Sequence, residues 1–155
     1  MLPPVVSRPR RSWADRPFAG ICLAPLLCVG GRILIVEDDA VLRKHLARLF
    51  LREGYEVSTA EDCATARRHL TETRFDTLLL DVALPDGSGL GVLDQVAGRH
   101  RPQRTVVMTA STAPENEAWA QRLQVDCLLR KPLDLMRLVE LARDGGAGAA
   151  RPLAE

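Results

Sequence analysis

Along the 155-residue chain the spacing of hydrophobic positions changes repeatedly from Arg32 onward. Ile33, Leu34, Ile35 and Val36 form a short unbroken aliphatic run, the pattern of a strand buried on both faces of a parallel sheet. Three acids end it. Val41, Leu42, His45, Leu46, Leu49 and Phe50 then recur at helical spacing, with Asp39 placed to cap the helix and Gly54 to end it. Residues 55–59 read as a second strand, and residues 64–70 as a second helix capped by Asp62. Residues 77–80 are a third, continuously apolar strand. A turn rich in Pro and Gly precedes a third helix marked by Leu90, Val92, Leu93 and Val96. Residues 105–108 give a fourth strand, and Trp119 and Leu123 mark a weaker helix between Pro114 and Gln124. Residues 125–129 are a fifth strand, and residues 133–141 a last helix whose start is marked by Pro132 and Asp134. Five strands alternating with five helices predict an α/β fold: a doubly wound parallel sheet with right-handed crossovers and helices on both faces.

Composition changes this picture little. Lys plus Arg total 21 against 20 Asp plus Glu, so the net charge of +1 gives no global pull toward nucleic acid or acidic membranes. No apolar run approaches the roughly 20 residues that a membrane helix needs. Cys22, Cys28, Cys63 and Cys127 form no C-x-x-C pair and lie at no helical spacing from His45, His69 or His100, which speaks against zinc. Residues 1–31 differ from the rest: Arg8, Arg10, Arg11 and Arg16 precede a nearly apolar stretch from Phe18 to Val29, the outline of a secretory signal. Asp15, Pro17 and Pro25 oppose that reading, and the segment is expected to be a disordered N-terminal extension. Residues 32–143 are expected to form the folded domain, and residues 144–155 a flexible tail too short for a helix-turn-helix, so no direct DNA binding is expected.

Ligands of open parallel sheets bind outside the carboxyl ends of the strands. The first strand delivers Glu37, Asp38 and Asp39 to that edge; the third delivers Asp81 and then the segment Ala83, Leu84, Pro85, Asp86, Gly87, Ser88, Gly89. The fourth ends in Thr109, and the fifth is followed by Lys131 and Pro132. If the first and third strands are neighbours, about 4.8 Å apart, Asp38 and Asp81 project into one small volume. Their charges would repel, and a hard divalent cation such as Mg2+, which takes carboxylate oxygens, removes the conflict. Lys131 supplies a point charge suited to a phosphoryl group, and the Thr109 hydroxyl a donor to another of its oxygens. Each feature alone has an ordinary structural explanation; their joint arrival at strand ends on one edge does not.

These motifs, Arg32 through Asp39, Leu80 through Gly89, Thr109 with Ala110, and Lys131 with Pro132, resemble the receiver domain of two-component response regulators over residues 32 to about 143. The resemblance implies the flavodoxin-like strand order 2-1-3-4-5. It makes Asp81 the phosphoacceptor for a phosphoryl group from a sensor histidine kinase or phosphotransfer protein. Mg2+ would be held by Asp38, Asp81 and the Ala83 backbone carbonyl, with Glu37 acting through a bound water. Thr109 and Lys131 would contact the phosphoryl oxygens, with a cis peptide before Pro132, and Asp39 is left as a helix cap. The domain would catalyse its own phosphorylation and dephosphorylation without otherwise being an enzyme. Output would pass to a protein target that the sequence does not name, and homodimerisation through the face from the fourth to the fifth helix is left open. A cytoplasmic location follows, because an exported receiver would lose its phosphodonor. The family's usual switch aromatic is replaced by Leu128, which has no ring to swing and no hydroxyl; this puts coupling to the fourth-helix face in doubt.

Other chemistries fit less well. A Mg2+-dependent phosphohydrolase needs Asp-x-Asp on one strand, which Glu37, Asp38 and Asp39 do not supply, and a topoisomerase-primase type of site needs it where Asp81, Val82 and Ala83 stand. A flavin or nucleotide binder would carry a Gly-rich loop after the first strand, where this chain has acids that repel bare phosphate. A receiver-like module that binds a partner independently of phosphorylation is the remaining rival, and Leu128 is its support.

Overall fold

The computed structural model describes residues 30–96 and 98–143. Expectations for the N-terminal extension and the C-terminal tail, Gly30 and Gly31 aside, lie outside these residues. The chain runs β1 (Gly31–Val36), α1 (Ala40–Arg52), β2 (Tyr55–Ala60), α2 (Cys63–Glu72), β3 (Thr77–Asp81), β4 (Ala83–Leu84), β5 (Gly87–Ser88), α3 (Gly89–Gln95), β6 (Arg104–Thr109), α4 (Pro114–Arg122), β7 (Cys127–Arg130) and α5 (Leu135–Arg143).

Five strands form one parallel sheet in the order β2-β1-β3-β6-β7, the order 2-1-3-4-5 once the short β4–β5 hairpin is set aside. Successive residues of the central strands feed opposite sides of the sheet, the period-2 consequence of strand geometry. Leu34, Val36, Leu78, Leu80 and Val107 pack with α2, α3 and α4 through Ala66, Leu70, Leu90, Leu93 and Ala120. Ile33, Ile35, Leu79, Val106 and Met108 pack with α1 and α5 through Leu46, Phe50, Leu138 and Val139. This two-sided burial is why β1 and β3 read as unbroken apolar runs. No described helix is long and apolar enough to cross a membrane.

The helix caps form as their residue types dictate. Asp39 accepts from the backbone N–H of Val41 and Leu42, Asp62 from Thr65, and Asp134 from Met136 and Arg137. Gly54 follows α1 with a positive φ of 85°, the left-handed conformation that closes a helix without a Cβ penalty. Two elements start two residues later than the sequence pattern predicts. The fifth sheet strand starts at Cys127 because the Val125 N–H is used by the Ala120 carbonyl, closing α4 after Gln124 turns to a φ of 55°. The last helix starts at Leu135 because Asp134 is its cap, which leaves Leu133 outside.

Candidate functional site

The edge at the carboxyl ends of β1, β3, β6 and β7 collects every predicted site residue except Leu128, which lies within β7. Glu37 follows β1 and is fully buried; its N–H donates to the Ala60 carbonyl, carrying the β1–β2 ladder one residue further. Asp38 is exposed, and Asp81 ends β3 with 3% exposure. One carboxylate oxygen from each of Glu37, Asp38 and Asp81 lies within 4.8 Å of the others.

Lys131, immediately after β7, reaches into this cluster. Its Nζ donates to Glu37 Oε2 and to Asp81 Oδ2, each at 2.8 Å. The Lys131 N–H donates to the Thr109 carbonyl at 2.8 Å and the peptide to Pro132 is cis, so the backbone at this corner is tied to the end of β6. Burial alone would lower the Lys131 pKa, but the hydrogen bonds to Asp81 and Glu37 outweigh it and hold the ammonium above its ordinary range. Burial pushes the Glu37 carboxyl up from 4.5 to about 7; the Asp81 charge adds to the rise and the Lys131 bond opposes it.

Thr109 is buried at the end of β6, beside β3, where Asp81 pairs with Met108. Its hydroxyl oxygen accepts from the Ser111 N–H at 3.0 Å and lies 3.4 Å from the Ser111 carbonyl. Ala83 opens β4, and its N–H donates to Asp81 Oδ1 at 3.1 Å. Leu128 sits away from the edge: within β7 it pairs with Val107 and packs, partly buried, against the α2–α3–α4 side together with Trp119 and Val125. Asp39 stays out of the cluster as a cap.

Three features were not read from the sequence. Asp86, in the β4–β5 turn, accepts from the N–H groups of Cys63 (2.7 Å) and Ala64 (3.0 Å), so the hairpin after Asp81 is pinned to the start of α2. Gly89 packs so closely beneath Asp81 that an added Cβ would stand 2.0 Å from the Asp81 carbonyl oxygen. Arg43 bonds the backbone behind the acids. The first two involve partners 23 and 22 residues distant or close packing; among local signals, only the Gly in the segment after Pro85 pointed to any of them.

As a donor set, three carboxylates and nearby backbone carbonyls suit a hard cation that takes oxygen ligands. The spacing fits too. In an octahedral shell of about 2.1 Å radius ligands stand about 3.0–4.2 Å apart, so oxygens that lie within 4.8 Å of one another are grouped on the scale of such a shell.

The family model described as the response regulator receiver domain matches residues 33–143. The chain belongs to the response regulator receiver family. The transcriptional regulatory protein PrrA of Mycobacterium leprae is 33% identical over 108 residues, covering 70% of this chain and 46% of PrrA. The response regulator protein PilR of Pseudomonas aeruginosa is 33% identical over 110 residues, covering 71% of this chain and 25% of PilR. The chain therefore spans less than half the length of these curated relatives. A crystal structure of a CheY-like response regulator receiver domain protein from Methanospirillum hungatei superposes with a TM-score of 0.67 at 29% identity, covering 71% of this chain and 88% of that one. The receiver fold and its acidic pocket of Glu37, Asp38 and Asp81 place the chain in two-component phosphorelay signalling, a class whose members partner with histidine kinases.

Proposed function

We propose that this receiver takes a phosphoryl group from a sensor histidine kinase or phosphotransfer protein onto Asp81 and signals through a protein partner, working in the cytoplasm where its donor is found. The observation that carries this reading is the meeting of Glu37, Asp38 and Asp81 within 4.8 Å under a lysine that bonds two of them at 2.8 Å. An Asp81 carboxylate oxygen forms the bond to phosphorus as the phosphorus–nitrogen bond of the donor phosphohistidine breaks; a proton carried on the other ring nitrogen of the phosphohistidine lets the imidazole leave as the neutral ring. Both Asp81 oxygens are oriented before transfer, Oδ1 by the Ala83 N–H and Oδ2 by Lys131.

Asp38, Asp81 and the Ala83 carbonyl would hold Mg2+, with Glu37 bonding one of its waters. Bound there, the ion neutralises charge on the phosphoryl oxygens and on the acids that surround them. Lys131 supplies a second cation for the transferred group, exchanging carboxylate oxygen for phosphoryl oxygen. Thr109 supplies a hydroxyl once it releases Ser111, and this exchange is the local event that alters the β6–α4 connection. Leu128, already packed inward against the α4 side, fills space without a ring to rotate. The output then rests on the Thr109 loop. In this arrangement the domain promotes its own phosphorylation and hydrolysis and acts on no other substrate.

The test is intact mass after incubation with acetyl phosphate, with and without Mg2+, beside an Asp81→Asn control. A Mg2+-dependent gain of one phosphoryl group in the wild-type protein, absent from the variant, is expected. No gain in a folded protein that binds Mg2+ would overturn the phosphoacceptor reading and favour a module that binds its partner independently of phosphorylation.

A further inference from the structure

Two cations approach the acid cluster from different directions. Lys131 takes carboxylate oxygens of Glu37 and Asp81, the same atoms that a metal ion would use. Arg43, in the first turn of α1, takes none of them. Its Nη1 donates to the backbone carbonyls of Glu37 at 2.7 Å and Asp38 at 3.1 Å, and its Nη2 reaches Glu61 Oε2 at 3.4 Å, at the start of the β2–α2 connection. The side chain is only 17% exposed.

We infer that Arg43 is a positioning residue for the cation site, strapping the Glu37–Asp38 backbone from behind while itself taking no carboxylate oxygen of the cluster. Asp38 is exposed, so side-chain packing does not fix the backbone at that position. From the other side the loop is held by Asp39, whose N–H lies 3.3 Å from Glu37 Oε1 and whose carboxylate caps α1. The guanidinium closes the remaining side, and its planar fork holds two carbonyls on one nitrogen and an acid on another in a fixed geometry that a single ammonium nitrogen does not reproduce. Partners that orient metal ligands in this way typically change metal affinity by about tenfold or more when removed.

This inference rests on the metal site of the proposed function, and the experiment separates the two. Full-length wild type, Arg43→Met, Arg43→Lys and Glu61→Gln are titrated with MgCl2, following amide chemical shifts of residues 38, 39 and 81, and their urea unfolding is measured alongside. Arg43→Met is expected to raise the Mg2+ dissociation constant about tenfold. Its acetyl phosphate reaction should recover the wild-type rate once Mg2+ is saturating. Arg43→Lys should bind Mg2+ with intermediate affinity, and Glu61→Gln, whose side chain is 68% exposed, close to wild type. If Arg43→Met binds Mg2+ like the wild type and only its unfolding midpoint falls, the residue is structural and the inference is overturned. Should that variant not fold, Arg43→Lys decides: wild-type affinity overturns the inference and weaker binding supports it. A folded wild type that does not bind Mg2+ overturns the metal site itself, and the strap with it.

Discussion

The carbonyl oxygen of Asp81 occupies the place where a side chain on residue 89 would begin: a Cβ there would stand 2.0 Å from it, with the Asp81 carbonyl carbon and Leu80 Cγ both at 3.0 Å. The Gly89 N–H donates to the Val82 carbonyl at 2.8 Å, so α3 starts directly against the end of β3. Gly89 serves here by its lack of volume, since its backbone is not left-handed.

Gly89→Ala is expected to destabilise the protein by about 3 kcal/mol, the scale of overpacking a filled site, and to slow acceptance of phosphate because the displaced atoms belong to Asp81. Two residues on, an added Cβ on Gly91 would meet only Trp119 at 3.8 Å. Gly91→Ala should therefore stabilise by about 0.5–1 kcal/mol through helix propensity alone. Urea unfolding of the two variants, beside their acetyl phosphate rates, checks both signs.

Thr109→Val keeps the shape of a buried side chain and removes the acceptor that Ser111 N–H uses at 3.0 Å. A cost of about 1 kcal/mol in stability is expected from the unpaired amide. The wild-type Ser111 amide resonance is expected to shift on phosphorylation, and the variant should still gain a phosphoryl group while its Ser111 amide stays put. Equal shifts in both proteins would remove Thr109 from the switch.

Asp86 gives the fold a dependence on pH. The N–H groups of Cys63 and Ala64 that donate to its carboxylate, Cys63 first, hold its pKa below the ordinary 3.8. A carboxyl with a lowered folded-state pKa adds stability that is fully present above the unfolded value and lost as pH falls through the folded one. Asp86→Asn keeps an acceptor and drops the charge. Its deficit in unfolding midpoint against the wild type should be constant at neutral pH and shrink as the pH falls below about 4. A deficit that persists unchanged at low pH would mean that the charge contributes nothing.

Those residues also show where the sequence was readable. Ile33 to Val36 and Leu78 to Leu80 are buried from both sides, so burial shows as composition, and Asp39, Asp62 and Asp134 cap because a short polar side chain before a helix has that use. Glu37, Asp38, Asp81, Thr109 and Lys131 were legible because each follows or ends a strand, and a parallel sheet brings such ends to one edge. Asp86 was not legible, since its partners lie 23 and 22 residues away on another element. The two-residue strands β4 and β5 carry too few positions to show a period, and Val125 is apolar for the sake of the α4 side of the core, not for a place in β7. Arg43 looked like any cation on a helix surface; only the fold reveals that it turns back on carbonyls five and six residues earlier.

The lysine at this edge stands 50 residues beyond Asp81 and 94 beyond Glu37, and it comes from the last strand to join the sheet in chain order. During synthesis the acids leave the ribosome first, and for the time needed to add those residues they wait without their cation. A nascent chain that ends before residue 131 cannot form these bonds, so the acid cluster gains its cation only when the end of β7 docks beside β6.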